Sequence, residues 1–184
     1  MTTLIIIAII VIIAFAAVGI YNGLIKLRNT SEQAWSDVDV QLKRRYDLIP
    51  NLIETVKGYA SHEKETFEKV VQARNQAMGA SSPGEKAQAE NFLQSTLKSL
   101  FALSEAYPEL KANQNFLDLQ DELSNIEEQI QLARRYYNAV VRDLNTKIES
   151  VPSNIVANMF HFENREYFEL DSEEERETPK VDFN

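Results

Sequence analysis

The chain has 184 residues, with 19 Lys and Arg against 28 Asp and Glu, which gives a formal net charge of −9. An acidic chain is a poor nucleic-acid binder, because phosphate affinity comes mainly from clustered cations, so we expect no nucleic-acid partner. The sequence contains no Cys and only two His. Disulfides, thiol nucleophiles and Cys-ligated metal centres are therefore excluded.

The N-terminus carries a strongly apolar run that begins at Leu4 and ends at Ile20. These 17 residues contain no charge, amide or hydroxyl, and the next charge is Lys26. A helix over residues 4–25 would be about 33 Å long, enough to cross a hydrocarbon core of about 30 Å. The twelve large apolar side chains of the run favour insertion by up to about 4–7 kcal/mol. We therefore predict a transmembrane anchor over residues 1–25, with the lipid bilayer as its partner.

Two features bear on how this anchor is used. Ala14-Phe15-Ala16 resembles a signal-peptide cleavage site, but only Met1-Thr2-Thr3 precedes the core and no basic residue is present, so we favour an uncleaved anchor. The nearest cations all follow the run: Lys26, Arg28, Lys43, Arg44 and Arg45. The positive-inside rule then places the N-terminus outside and the body in the cytoplasm.

The sequence after residue 25, which we call the body, predicts helix almost throughout. The clearest helical segment runs from near Asn113 to Ser150. Its apolar seam repeats at alternating steps of three and four: Phe116, Leu119, Leu123, Ile126, Ile130, Ala133, Tyr137, Val140 and Leu144. Val151-Pro152 should end this helix, because proline lacks the backbone donor and clashes with the preceding turn.

Earlier in the body three further helical segments are predicted. The first continues out of the membrane, and Asp47 to Pro50 is expected to form a turn before the second, with Asp47 as its N-cap. Residues 79–84 are expected to form a loop, followed by a helix over residues 85–106. Four helices with short connections predict an all-α, antiparallel four-helix bundle over residues 26–162.

Several blocks of the sequence resemble the LemA family. They are residues 21–29, 34–52, 55–60, 105–113, 133–138 and 152–154, which read YNGLIKLRN, AWSDVDVQLKRRYDLIPNL, TVKGYA, EAYPELKAN, ARRYYN and PSN. The resemblance covers essentially the whole chain. It implies a bacterial protein of the inner membrane with one N-terminal span and a cytoplasmic helical bundle, but no established molecular activity. His161 departs from the pattern, since glycine is expected there.

Known catalytic and metal-binding patterns were sought and not found in the sequence. Neither His62 nor His161 follows a Glu three residues earlier, as a di-metal bundle site requires, and Thr66 replaces the second ligand of a zincin motif. The five glycines are too scattered for a nucleotide-binding loop. We therefore expect no catalytic, cofactor-binding or metal-binding residue, and a non-enzymatic protein.

Polar residues within the apolar pattern are the remaining candidates for function. Asn is an indifferent helix former, yet several lie on or beside the seams. The main candidates are Asn91, Asn113, Arg134 and Asn138. They form either an internal hydrogen-bond network that fixes helix register or a face that binds a protein partner, and we favour the network.

The last segment, residues 163–184, is an acidic tail. It holds nine acidic and three basic residues, yet it also carries Tyr167-Phe168 and a Val181-Asp182-Phe183 ending. A solubility tail would not need these apolar side chains. One hypothesis is that Phe168, Val181 and Phe183 dock into a groove of the bundle or of a neighbouring copy, and the alternative is a free tail.

Together these features predict a single-pass membrane-anchored scaffold or adaptor. The alternative is a non-catalytic accessory subunit of a membrane protease or transporter complex. In either case a protein partner of unknown identity is expected, and self-association into a homo-oligomer stays open.

Overall fold

The computed structural model describes residues 1–169, which are helical nearly throughout and contain no strand. The helices are α1 (Thr2–Lys57), α2 (Lys64–Gly79), α3 (Pro83–Leu103), α4 (Pro108–Lys111), α5 (Gln114–Glu149) and α6 (Ser153–Met159), with a short 3-10 turn at Ser104–Ala106. The all-α class and the long apolar N-terminal helix are confirmed. The grouping of the helices into an antiparallel four-helix bundle stays a prediction.

The turn expected at Asp47 to Pro50 is wrong, because α1 continues through Pro50 for seven further residues. The seam Leu42, Tyr46, Ile49, Ile53 and Val56 keeps its steps of four and three across the proline, and all five side chains are buried. Proline removes one helical hydrogen bond and strains the preceding turn. Burial of an unbroken seam outweighs that local cost.

The interruption lies instead at residues 58–63, where Tyr59 and Ala60 both donate to the Val56 carbonyl. The predicted second helix is therefore divided: Ile53 and Val56 belong to α1, whereas Phe67 and Val70 belong to α2. The expected loop after α2 is present but shorter, spanning residues 80–82.

Helix α3 begins with a capping box. Ser82 Oγ accepts from the Glu85 amide at 3.2 Å, and the Glu85 carboxylate accepts from the Ser81 amide at 3.1 Å and more weakly from that of Ser82 at 3.4 Å. These donors, Ser81 foremost, hold the pKa of the Glu85 carboxyl below its ordinary value. The helix continues almost to Pro108 through the 3-10 turn, as predicted.

Helix α5 matches its predicted bounds within one residue at each end. Asn113 acts as its N-cap, since its Oδ1 accepts from the Phe116 amide at 3.0 Å. Its predicted seam is largely buried, with Phe116, Ile130, Tyr137 and Leu144 almost completely so. Helix α6, of seven residues, was not predicted.

The described chain divides into two compact units. The first unit contains residues 1–47 and 121–167, and the second contains residues 48–120 together with Phe168 and Glu169. Helices α1 and α5 each contribute to both.

In the first unit α1 and α5 run antiparallel. Leu24 shares a hydrophobic cluster with Ile148. The Trp35 ring is tilted against the Tyr137 ring with centroids 5.2 Å apart, and Arg45 forms an ion pair with Glu127 at 2.6 Å. From one contact to the next, the residue number on α1 rises by as much as the residue number on α5 falls. The two helices therefore keep one register over this length.

The second unit has its own core on α2, α3 and the adjoining segments. Its fully or almost fully buried side chains include Leu52, Ile53, Val56, Phe67, Val70, Leu93, Leu97, Leu100, Leu110 and Phe116. Phe101 lies against Phe116 with ring centroids 6.1 Å apart. The Tyr59 hydroxyl accepts from Asn113 Nδ2 at 2.9 Å, which ties the loop after α1 to the start of α5.

Candidate functional site

The most prominent surface feature is the apolar start of α1. From Leu4 to Val18 every large side chain is between 46% and 75% exposed. A side chain of this kind in water forgoes about 1.5–3 kcal/mol of burial, so eleven in one run need an apolar surrounding. Among residues 1–169, α1 is the one helix long and apolar enough to cross a membrane.

A second feature is a polar clasp, formed by Glu32, Tyr137 and Asn145, that holds the extended segment at Arg165 and Glu166. Asn145 Nδ2 donates to the Arg165 carbonyl and Asn145 Oδ1 accepts from the Arg165 amide, both at 2.9 Å. The side-chain amide thus satisfies both backbone groups of one residue, as a neighbouring strand would. This pairing fixes the segment without a sheet.

Two further bonds complete the clasp. The Tyr137 hydroxyl donates to the Glu166 carbonyl at 2.8 Å, and the Arg165 guanidinium donates to the Glu32 carboxylate at 2.6 Å. Burial is the main reason that the pKa of Tyr137 is raised above its ordinary value. Its ring also packs beside Trp35.

The four polar candidates from the sequence are divided between the two units. Asn91 and Asn113 belong to the second unit, whereas Arg134 and Asn138 belong to the first. Asn113 has a structural role as cap and as donor to Tyr59. Arg134 is buried, and Asn91 and Asn138 are half-buried. The choice between an internal network and a partner face stays open for these three.

Asn145 is the functional candidate that sequence reasoning underrated. It lies beside the α5 seam, next to Leu144, and is 8% exposed. Its position indicated a polar contact, because an asparagine is unusual at a helix position that borders the core. Its partner could not be inferred, because Arg165 lies twenty residues further along the chain in a segment without regular structure.

The described residues contain only the start of the acidic tail. Phe168 is fully buried, whereas Tyr167 before it is exposed. Val181 and Phe183 lie outside the described residues, so docking of the tail stays a prediction.

The departure at His161 falls on a left-handed backbone position. His161 has φ of 54°, the one positive φ among the non-glycine residues of the described chain. The Phe162 amide donates to the Ala157 carbonyl at 2.9 Å and the His161 amide to that of Asn158 at 3.3 Å, which is a Schellman motif closing α6. Glycine suits this position best, which explains why the family pattern expected it.

The second unit presents an open groove of about 540 Å³. It is lined by Ile53, Lys57, Lys64, Phe67, Glu68, Val71, Gln72 and Asn75. Lys57 Nζ lies 6.0 Å from the centre of the Phe67 ring. Apolar side chains with a charged rim are a common arrangement for binding a peptide or protein surface.

No group of three or more His, Cys, Asp or Glu within residues 1–169 could hold a metal ion. Burial raises the pKa of Tyr46 to about 12, and a hydrogen bond from Lys69 lowers that of Glu65. These groups lie on different helices, and each shift has a local structural cause.

The chain is similar in sequence to known proteins. The LemA family model matches residues 34–183, which is most of the chain. The chain belongs to the LemA family. It is 30% identical to Protein LemA of Metamycoplasma hominis over 166 residues, covering 88% of this chain and 74% of that protein. It is also 23% identical to Magnetosome protein MamQ 2 and to Magnetosome protein MamQ 1 of Paramagnetospirillum magneticum, covering 90% of this chain and 71% of each relative.

The family match begins at Ala34 and so leaves out the apolar run. What it covers is the amphipathic part of α1 and every later element described here. The groove, the Schellman turn and the clasp residues Tyr137 and Asn145 therefore lie within the family region, whereas Glu32 of the clasp and the apolar run lie before it.

Proposed function

We propose that this LemA family protein is a non-enzymatic, single-pass adaptor of a bacterial inner membrane, with its N-terminus outside and its helical body in the cytoplasm. One observation carries the proposal: α1 runs without interruption from the exposed apolar stretch into the buried seam of the body. An uninterrupted helix couples the orientation of the body to that of the anchor.

The orientation follows from charge. The three residues before the apolar run contain no Lys or Arg, whereas Lys26 and Arg28 follow it at once. Cations near the end of a span favour the cytoplasmic side, and anionic headgroups attract them by about 1 kcal/mol each.

The adaptor role needs a surface for a partner, and the groove on the second unit is the best candidate. Val71 in the groove is exposed, and Lys57 and Lys64 outnumber Glu68 among the charged residues that line it, although Lys57 also pairs with Glu54 at 2.8 Å. An acidic segment with apolar side chains would match this chemistry.

The anchor is tested by fractionation and by protease protection of the intact chain. We expect the protein to resist alkaline extraction from membranes and the body to be cleaved only from the cytoplasmic side. Release by alkaline carbonate would contradict the anchor, and cleavage of the body from outside would contradict the orientation.

The partner is tested by a photo-crosslinking side chain at Val71, with Leu132 on α5 as the matched exposed control. An adaptor should give crosslinks from position 71 and few from position 132. A single stoichiometric partner belonging to a membrane protease or transporter would favour the accessory-subunit alternative instead. Equal yields at both positions would remove the groove as the contact.

The role of the seam polar residues is tested by Arg134→Ala and Asn138→Ala. A large fall in melting temperature supports an internal network. An unchanged fold with loss of the crosslinked partner supports a binding face.

A further inference from the structure

The end of α5 and helix α6 pack against the apolar part of α1, in the first unit. Leu24 of α1 forms a buried cluster with Leu144, Ile148, Val156 and Ala157. This cluster extends along α1 to Ile20 and Ala17, which are partly buried by it. The contact therefore lies inside the uncharged stretch that ends at Ile25, not in the amphipathic part of the helix.

Aromatic side chains fix this level more closely. The Tyr21 ring lies 4.7 Å from that of Phe160 and 5.9 Å from that of Phe162. Ala17 precedes Ile25 by eight residues, or about 12 Å along a helix. Helix α6 therefore lies beside the last 12 Å or so of the uncharged stretch.

The outer side of this corner is apolar and uncovered. Val151, Ile155, Met159 and Phe160 are between 53% and 79% exposed. The first three are spaced by four residues, which places Ile155 and Met159 on one face of α6 with Val151 just before it. Residues 150–160 contain no charged side chain. Four large apolar side chains so close together form a patch rather than the scattered exposure that is normal in water.

Cations border the corner on the side of the body. The Arg28 guanidinium lies 5.6 Å from the centre of the Phe162 ring. The Lys147 ammonium lies over Gly23, one turn beyond Ile20 on α1. An apolar face bordered by cations is the composition of helices that lie in the membrane interface.

We infer that the corner formed by Val151, Ile155, Met159 and Phe160 is a second membrane contact, which inserts into the headgroup–acyl boundary of the bilayer that α1 crosses. This inference rests on the proposed anchor. The bilayer is favoured as the occupant because the patch is continuous with the apolar stretch of α1 through Tyr21 and Phe160. Interfacial helices insert by about 5–10 Å, which fits the overlap of about 12 Å between α6 and that stretch. The contact fixes the tilt of the body against the membrane.

The chain contains no Cys, so a spin label attached to one introduced cysteine is the only label, and no native cysteine has to be replaced first. We choose Ile155→Cys on the patch, Ile13→Cys in the apolar run and Leu132→Cys on α5, all three at exposed side chains. Leu132 lies about 24 Å along the helix from Ile148 and provides the water reference. Each labelled full-length chain is reconstituted into phosphatidylglycerol–phosphatidylethanolamine vesicles, and accessibility to oxygen and to a water-soluble nickel chelate is measured.

We expect the labels at 13 and 155 to show a severalfold higher ratio of oxygen to nickel accessibility than the label at 132. A label at 155 that behaves like 132, while 13 stays protected from nickel, overturns the membrane contact and leaves the anchor intact. Nickel access at position 13 overturns the anchor and the contact with it. Low access to both reagents at 155, with spin–spin broadening that disappears on dilution with unlabelled chain, assigns the patch to a second copy and overturns the inference.

Discussion

The two halves of α1 share one helix but have opposite environments. From Leu4 to Val18 the large side chains are exposed on every side, whereas Leu24, Val38, Leu42 and Ile49 further along are completely buried. The early half is apolar all round and the later half only along a seam. A helix that is apolar all round belongs in a bilayer or a large core, and one with an apolar seam belongs on a water-soluble body. Under the proposed anchor the exposure of the early half is no defect, because a bilayer rather than water would surround it.

Charged side chains placed in the early half should prevent it from acting as an anchor. Each Arg near the centre of a span costs about 2.5–3.5 kcal/mol, so Ile9→Arg with Ile12→Arg should cancel most of the 4–7 kcal/mol or so that favours insertion. We expect most of the doubly substituted protein to leave the membrane fraction. Val40→Arg, at an exposed site on the later half, is the matched control and should stay bound. Equal behaviour of the two proteins would mean that the early half is not the anchor.

The same truncation in each half gives a second test. Leu42 is fully buried and Ile10 is 60% exposed. Leu42→Ala should lower the free energy of unfolding by about 2–5 kcal/mol, because a cavity adds to the lost burial. Ile10→Ala removes no packing within the body and should leave its unfolding unchanged. Thermal unfolding in a mild detergent checks both, and a similar loss for the two would show that the early half packs against protein.

Sequence periodicity predicted most of the helices, but not every boundary. The α5 seam was correct because its three–four pattern has no exception and Val151-Pro152 marks its end. Pro50 was misleading because proline disfavours the interior of a helix, whereas the apolar seam on both sides of it is buried. The free energy gained by burying the seam exceeds the cost of the proline. Helix α6 was missed since seven residues show too little periodicity, although the glycine expected at 161 was a signal that a helix ends there.

The candidate surfaces were less predictable than the helices. The apolar run is evident from composition. The clasp is not, because Asn145 and Arg165 meet only once α5 and the following turn have folded. The patch at α6 required the position of Phe160 beside Tyr21, which no local pattern gives.

The clasp provides a test of the later half alone. Asn145→Ala removes two partly buried hydrogen bonds of 2.9 Å and should lower the free energy of unfolding by about 1–3 kcal/mol. Exchange of the Arg165 amide should become faster, while exchange in the core of α5 should not. Asn164→Ala is the control, because its single bond to Glu149 is exposed, and a change of less than about 0.5 kcal/mol is expected. Slow exchange at Arg165 in the Asn145 variant would show that other contacts hold the segment.

The smallest expected effect lies at the junction of the two halves, in the turn that places Phe162 near Tyr21. A side chain at the left-handed φ of His161 is strained by about 1–2 kcal/mol, which glycine would relieve. Glycine also raises the entropy of the unfolded chain, and this offsets about 0.4–1 kcal/mol of the gain. His161→Gly should therefore raise the free energy of unfolding by about 0.5–1 kcal/mol. His161→Ala removes the imidazole but keeps the strain, so it should give no gain. Chemical unfolding of the two variants separates backbone strain from side-chain contacts. If glycine lowers stability as much as alanine does, the imidazole itself holds the turn, and the position that departs from the family pattern has acquired a contact of its own.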